Sequence, residues 1–211
     1  MREVVLTLKN KYYNISKYKM VNDTDQNIVE RVHQGDLDSF SEIVKKYQDR
    51  IYSTVLNYVG NPEDALDVTQ DAFVKAYTRL DSFNKDSAFY TWLYRIAINT
   101  AIDFLRKRKS RPAISLSDEK FTESGFEPEA KDNYSDPVRT LYSNEQMREL
   151  RYGLTKLSEK LRSVIILHDI QGMSQDEVAE ILKIPVGTVK SRVSRARNTL
   201  KDILRSKGDT K

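Results

Sequence analysis

The chain has 211 residues, and 35 lysines and arginines against 31 aspartates and glutamates give it a net charge of +4. With 39% hydrophobic and 31% charged residues it has the composition of a globular protein of one or two domains. It has no cysteine, which excludes disulfides and thiolate metal sites. No apolar run reaches the ~18 residues needed to span a bilayer, and no signal-peptide core is visible, so we expect a cytoplasmic protein.

Helical periodicity begins at Thr24, after a tail without sustained pattern that we place at residues 1–22. Asp36 is predicted to cap the second helix, and the sequence Gly60-Asn61-Pro62 is predicted to end it. The apolar stripe predicted for this helix consists of Leu37, Phe40, Ile43, Val44, Tyr47, Ile51, Val55 and Val59.

A third helix is predicted from Glu63 to Leu80. Its predicted core stripe is Ala65, Leu66, Ala72, Phe73, Ala76, Tyr77 and Leu80. The opposite side would then hold Val68 and Val74 among acids, although a solvated face does not require valines. Outward valines favour a surface that docks on another protein.

The acids of this helix allow several interpretations. Glu63 and Asp64 complement the dipole at the helix start, which explains them without a function. Asp67, Gln70 and Asp71 lie further along, where docking on a protein partner is a second interpretation and a carboxylate metal site a third. Neither histidine has metal partners at useful spacing, and we interpret His168, on a mostly apolar segment, as a core or boundary residue; the other is His33.

The fourth predicted helix, from Ser87 to about Lys109, follows a polar loop that contains Phe83. Its apolar residues recur at four-residue intervals, and basic residues from Arg106 to Arg111 crowd its end. Cations at a helix C-terminus are favoured by the dipole alone. Together with Tyr90 and Tyr94 they also suit phosphate contacts and base stacking on a single strand.

The middle of the chain is predicted to be a linker. Residues 110–137 hold three basic and seven acidic residues, three of the five prolines and no periodic stripe. Helices resume after it, and we therefore predict an all-α protein of two helical domains, residues 23–110 and residues 138–207, joined by an extended linker at 111–137. No metal or other cofactor is expected.

The most specific pattern lies between Ser174 and Arg205. Ser174 with Glu177 forms a capping box that starts one helix. Pro185 ends it near Leu182, and Gly187 is predicted to permit the close turn. Two helices joined in this way form a helix-turn-helix, whose second helix enters a DNA major groove.

The second helix of this unit has an apolar stripe that begins at Val186 and a basic outer surface. From Pro185 to Arg205 there are six basic residues and one acid, Asp202. A basic helix is often only a solvated surface, but donors on its N-terminal half are what base-edge reading needs. These outward residues are Thr188, Lys190, Ser191, Arg192, Ser194, Arg195 and Arg197.

Three stretches in this order are similar to bacterial RNA polymerase sigma factors of the extracytoplasmic-function group. They read DALDVTQDAFVKAY, DSFNKDSAFYTWLYRIAINTAIDFLRKRK and LSEKLRSVIILHDIQGMSQDEVAEILKIPVGTVKSRVSRAR. The resemblance covers about residues 24–205. It implies a factor without catalytic residues that joins core RNA polymerase and directs transcription of a stress or envelope regulon. Implied partners are the clamp coiled coil and flap of the polymerase, promoter DNA and an anti-sigma factor.

The resemblance also implies roles for individual residues. Asp67, Gln70 and Asp71 match the core-binding motif, and the outward residues of the helix-turn-helix from Thr188 to Arg197 match positions that read a GGAAC-like minus-35 duplex. It implies that the minus-10 element is bound as a melted strand, with one base flipped into the loop before the fourth helix. The positions implied to bind this strand are Phe83, Asn84, Lys85, Ser87, Ala88, Phe89, Trp92, Tyr94, Asn99 and Arg106. Melting requires both modules, because a base out of the duplex must be held in a pocket.

Two other classes of protein remain open on the sequence alone. One is a dimeric repressor or activator with the same DNA-binding end. The other is a metal-dependent nuclease that uses Asp64, Asp67 and Asp71. Association with core polymerase distinguishes a sigma factor from the first, and magnesium-dependent cleavage would indicate the second.

Overall fold

A computed structural model describes residues 22–84, 87–110 and 137–208, and within these ranges every regular element is helical. Nearly all of the predicted tail and of the predicted linker, as well as Lys85, lie outside the described residues, and Asn22, placed in the tail, is the first residue of α1. The α-helices are α1 Asn22–His33, α2 Phe40–Val59, α3 Pro62–Thr78, α4 Phe89–Ser110, α5 Pro137–Lys156, α6 Glu159–Ile165, α7 Gln175–Leu182 and α8 Val186–Gly208. Helices α1–α4 form one domain and α5–α8 the other, which confirms the predicted all-α class.

The turn between α2 and α3 forms as predicted. Gly60 adopts φ +85° and donates its N–H to Leu56 O at 2.8 Å, which closes α2 in the left-handed conformation that favours glycine. Asn61 Oδ1 then accepts from Asp64 N at 3.0 Å, and Pro62 occupies the first turn of α3. A three-residue signal therefore fixes the connection between two helices.

The start of the second helix differs from the prediction. Asp36 accepts hydrogen bonds from the N–H of Ser39 at 3.3 Å and from its hydroxyl at 2.5 Å, but it caps a short 3-10 turn, Leu37–Ser39, that precedes α2. Leu37 is 58% exposed, so its place in the apolar stripe was wrong. The tighter turn displaces Leu37 from the face that begins at the buried Phe40.

The side of α3 that faces the core also differs from the prediction. Val68 is buried, whereas Leu66 is 48% exposed and Tyr77 39% exposed. The observed buried series is Ala65, Val68, Thr69, Ala72, Phe73 and Ala76, which follows the three- and four-residue spacing of a single helix face. Val68 is therefore a core residue, and the outward apolar residues of α3 are Leu66, Val74 and Tyr77.

The C-terminal domain contains a π turn, Ile166–Ile170, directly after α6. Gln171 N donates to Ile166 O at 2.9 Å, five residues earlier. Helices α5 and α8 of the same domain pack closely, because a Cβ on Gly153 of α5 would lie 2.6 Å from Leu200 Cδ1 of α8. None of the described helices is long and apolar enough to cross a membrane.

The two domains touch through a polar contact around Tyr58. Its hydroxyl lies 3.0 Å from Ser163 Oγ, and the guanidinium of Arg162 donates to Tyr58 O at 2.9 Å. Burial raises the pKa of Tyr58 to about 12 and lowers the pKa of Arg162. A Cβ on the neighbouring Gly60 would lie 2.8 Å from Thr155 Cγ2, so the end of α2 leaves no room for a side chain beside α5.

A second interdomain contact places α7 against α4. Tyr90 of α4 donates to the carboxylate of Glu177, and burial together with this bond raises the pKa of Tyr90. Arg95 Nη2 donates to Glu180 O at 3.0 Å. Tyr94 of α4 is buried as well, and it lines a small cavity together with Glu177 of α7.

Candidate nucleic-acid interface

The helix-turn-helix is built by local capping. Glu177 N donates to Ser174 Oγ at 3.2 Å and Ser174 N donates to Glu177 Oε2 at 2.7 Å, which confirms the predicted capping box. The chain turns at Lys183, whose φ of +53° is the one positive value at a non-glycine residue in the described ranges. Gly187 instead lies inside α8, so its predicted role in the turn was wrong.

The outer face of α8 carries four of the predicted minus-35 residues together. Lys190, Ser191, Ser194 and Arg195 are exposed, opposite a buried stripe of Val189, Val193, Ala196 and Leu200. Arg195 Nη2 donates to Ser191 Oγ at 3.3 Å, which holds these two side chains together on adjacent turns. Val186, predicted to be in the stripe, is 40% exposed at the helix start.

The remaining predicted minus-35 residues are partly covered or are bound to other residues of the domain. Thr188 is half-buried, and its carbonyl accepts from Ser191 Oγ at 3.0 Å. Arg192 is half-buried in a groove of about 270 Å³ between the domains, beside Arg95 and Lys160. Arg197 donates through Nε and Nη2 to both carboxylate oxygens of Asp169, at 2.8 and 2.6 Å.

The acidic face of α3 is open. Asp67, Gln70 and Asp71 are exposed and form no hydrogen bond or ion pair with a described residue. Val74 beside them is 61% exposed. Asp64 is set apart from this face, because it forms an ion pair with Arg108 at 2.5 Å, and partial burial raises its pKa. A face that combines unpaired acids with exposed apolar side chains suits a protein partner.

The loop before α4 rests on an aromatic cluster that we define as Phe83, Phe89 and Trp92. Ring centroids lie 5.2 Å apart for Phe83 and Phe89, and 5.4 Å apart for Phe89 and Trp92. Each of the three is at most 8% exposed, and Tyr94 is also buried. The cluster therefore supports the loop from beneath, while Asn84 is exposed and Ser87 and Ala88 are half-exposed above it.

A polar groove of about 200 Å³ runs between the end of α3 and α4 and holds the predicted Asn99. Lys75 and Arg79, one turn apart on and just after α3, line it as well, and sequence reasoning missed both. Their four-residue spacing was the available signal. Arg95 also lines the groove, and its Nε is buried with no hydrogen-bond partner in the described part of the chain.

The basic end of α4 is partly engaged within the protein. Arg106, predicted at the minus-10 site, forms two hydrogen bonds with the carboxylate of Glu159, of 2.8 and 3.2 Å. Lys107 and Lys109 are exposed. The structure thus brings Asn84, Ser87 and Ala88 to the loop and Asn99 to the groove, and it places Arg106 at the domain boundary.

No group of three or more His, Cys, Asp or Glu side chains within the described ranges could hold a metal ion. His168 Nδ1 lies 2.7 Å from Met173 O, and His33 Nε2 lies 3.3 Å from an oxygen of Asp81. His168 is half-buried at this contact, whereas His33 and Asp81 lie on the surface.

Comparison with known proteins gives the same division into two parts. A model of sigma-70 region 2 matches residues 43–111, and a model of sigma-70 region 4 matches residues 147–200. The chain is 44% identical over 177 residues to the extracytoplasmic-function (ECF) RNA polymerase sigma-E factor of Escherichia coli, covering 84% of this chain and 92% of that protein.

Two further proteins are similar over most of their length. The RNA polymerase sigma-H factor of Pseudomonas aeruginosa is 39% identical over 184 residues, covering 86% of this chain and 94% of the relative. The sigma factor RpoE of Bartonella quintana, solved with the anti-sigma factor NepR, superposes with a TM-score of 0.60 at 25% identity. That match covers 79% of this chain and 96% of the solved one.

The fold and its helix-turn-helix define a two-domain DNA-binding protein of the transcription machinery. The chain belongs to the extracytoplasmic-function group of the sigma-70 family. It is an alternative sigma factor that recognises promoters, and sigma factors are transcription initiation factors.

Proposed function

We propose that three separate surfaces of this sigma factor divide the work of initiation. The acidic face of α3 binds core RNA polymerase, α8 reads the minus-35 duplex, and α4 with its preceding loop holds the melted minus-10 strand. The observation that carries the proposal is the exposure of α3 and α8 on different domains, with each face bearing the residue types its partner requires.

Docking on the polymerase clamp coiled coil rests on Asp67, Gln70 and Asp71. Their exposure leaves two carboxylates and an amide available to a partner. Val74 and Leu66 supply apolar area beside them. A small apolar patch flanked by acids fits a partner surface that carries basic and apolar residues. The polymerase flap is expected to contact the C-terminal domain.

Reading of the minus-35 duplex rests on Lys190, Ser191, Ser194 and Arg195. All four project from the first half of α8, the part of a recognition helix that approaches base edges. Arg195 has the guanidinium that suits a guanine edge, and Ser191 lies one turn before it. A GGAAC-like element is the expected sequence.

Capture of the minus-10 strand rests on the loop and the groove beside Asn99. Asn84, Ser87 and Ala88 form an exposed rim above the aromatic cluster, so the cluster fixes the loop and the rim meets the base. Lys75, Arg79 and Arg95 line the groove that leads away from it, which suits the phosphates of a single strand.

The remaining assignments follow from the same proposal. The chain contributes binding and positioning, and catalysis belongs to the polymerase, so the protein is not an enzyme and acts in the cytoplasm without a cofactor. The Bartonella quintana sigma factor was solved with an anti-sigma factor, and we expect this chain to have such a partner. We propose a stress or envelope regulon as its target.

The test is transcription in vitro with core RNA polymerase of Escherichia coli and fragments of the source genome. A sigma factor co-elutes with core enzyme and directs new start sites that share a spaced pair of elements. A plain repressor would neither co-elute nor start transcription. Magnesium-dependent cleavage of the fragments, lost in Asp67→Ala, would indicate the nuclease alternative.

A further inference from the structure

Arg197 has the side chain of a DNA-contacting residue, yet its guanidinium is engaged within the protein. It lies seven residues after Lys190, which is about two turns and 10 Å further along the helix axis on the same side of α8. Both of its hydrogen bonds in the structure go to Asp169, in the parallel fork arrangement that is the strongest form of such a pair.

Asp169 is placed for this contact by the π turn. The five-residue hydrogen bond from Gln171 N to Ile166 O widens the chain there, and a π turn redirects the side chains that it carries. The carboxylate is 13% exposed, whereas the guanidinium that covers it is 53% exposed. The bond to Asp169 also raises the pKa of Arg197.

The two residues join elements that are distant in sequence. Asp169 precedes the first helix of the helix-turn-helix, and Arg197 lies on the second, so their bond sets the rotation of α8 about its own axis relative to the rest of the domain. Beside this contact, α8 packs on the domain through the buried apolar side chains of Val193, Ala196 and Leu200.

We propose that Arg197 is a positioning residue for minus-35 recognition. It acts through Asp169 by holding α8 at the rotation in which Ser191, Ser194 and Arg195 face the base edges, and it does not itself contact DNA. The inference rests on the proposed reading of the minus-35 duplex by α8.

A positioning role and a phosphate contact of Arg197 predict opposite changes in DNA affinity when Asp169 is neutralised. Asp169→Asn removes a negative charge near the DNA, so if Arg197 were a phosphate contact restrained by Asp169, this change would release it and strengthen binding. If Arg197 acts through Asp169, the same change weakens binding to the specific sequence. The probes are a promoter duplex with a GGAAC-like minus-35 element and the same duplex with that element scrambled.

Binding is measured with holoenzyme made from the full chain and Escherichia coli core polymerase at several salt concentrations. We expect Asp169→Asn and Arg197→Gln each to lower affinity for the specific duplex about tenfold, and the double variant to be no weaker than either single one. The salt dependence should stay that of the parent. Arg197→Lys, which keeps the charge and much of the packing but not the fork, should also weaken binding.

The proposal is overturned if Asp169→Asn leaves the specific affinity unchanged or raises it. It is equally overturned if Arg197→Gln weakens both duplexes alike with a salt slope smaller by about one, the signature of a lost phosphate contact. Asp202→Asn is the matched control, since it removes an exposed acid from the same helix. Thermal unfolding of each variant establishes that the domain is folded.

A failure of the underlying function gives a different result. If Arg195→Ala does not reduce discrimination between the two duplexes, then α8 does not read the element through this face. If Arg195→Ala reduces discrimination and Asp169→Asn does not, only the positioning role of Arg197 is excluded.

Discussion

The hydroxyl of Tyr58 lies 3.0 Å from the hydroxyl of Ser163, 105 residues later in the chain, and both side chains are buried. Tyr58 is the last aromatic residue of α2 and Ser163 lies on α6, so this hydrogen bond joins the two domains directly. The carbonyl of the same tyrosine accepts from Arg162. Tyr58 therefore takes part in two hydrogen bonds between the domains, one through its hydroxyl and one through its carbonyl.

Tyr58→Phe should reduce stability by about 1 kcal/mol, because it removes a buried hydrogen bond and keeps the ring. Ser163 Oγ retains its bond to Glu159 O at 2.9 Å, so no new unsatisfied group is created on that side. Urea unfolding measures the loss. Tyr52→Phe is the control, since the Tyr52 hydroxyl forms no hydrogen bond with a described residue. Equal effects of the two changes would show that the interdomain bond contributes nothing.

Val74→Ser should weaken binding to core polymerase by about 1–2 kcal/mol without changing the melting temperature, because Val74 is 61% exposed beside the acidic face. Leu37→Ser is matched to it as an exposed apolar residue of the same domain that lies outside α3. Affinity is measured by fluorescence anisotropy of labelled protein. If both variants bind core enzyme like the parent, the docking face does not include this part of α3.

Arg195→Ala should cost about 1–3 kcal/mol on a duplex with the preferred minus-35 element and much less on a scrambled one. The reason is that Arg195 is exposed on the reading face and aligned with Ser191. Arg205→Ala removes an exposed cation from the far end of the same helix and serves as control. Uniform weakening on every sequence would identify Arg195 as a phosphate contact.

Asn99→Ala should slow open-complex formation and leave core binding intact, because Asn99 is an exposed amide in the polar groove between α3 and α4. Permanganate reactivity of unpaired thymines reports melting, and co-elution reports core binding. Gln48→Ala changes an exposed amide on α2 and should have no effect. Normal melting by Asn99→Ala would remove this residue from the site.

Glu159→Gln should raise affinity for a single-stranded minus-10 oligonucleotide about two- to fivefold. Arg106 is bound to Glu159, so the same donors cannot bind a phosphate of the strand. An exposed ion pair of this kind contributes up to about 1 kcal/mol, which binding of the strand must overcome. Glu63→Gln removes the same charge from an exposed position on α3. Should the two variants bind the strand equally well, Arg106 is not part of the strand site.

Local chemistry made much of the fold predictable. The Gly60-Asn61-Pro62 turn and the Ser174 capping box formed where the sequence placed them, because each depends on backbone groups within a few residues. The exposure of Asp67, Gln70 and Asp71 also agrees with their predicted position on α3. The division into two helical domains followed from the loss of periodicity between them.

Features that depend on contacts distant in sequence were not predicted. The burial of Tyr94 arises where α7 packs against α4, and no helix pattern contains that information. The π turn that carries Asp169 has no characteristic amino-acid pattern by which it could be predicted. Val68 is a different case, since its three-residue spacing from Ala65 and four-residue spacing to Ala72 marked it as a core residue.

Gly60 meets two requirements that come from different parts of the molecule. Its positive φ ends α2, and the missing side chain leaves clearance for Thr155 of the second domain. A substitution at this position would disturb a turn and an intramolecular docking surface at once, although only one of them is visible in the local sequence. Tolerance to mutation at Gly60 is thus governed by a neighbour 95 residues away as much as by its own backbone.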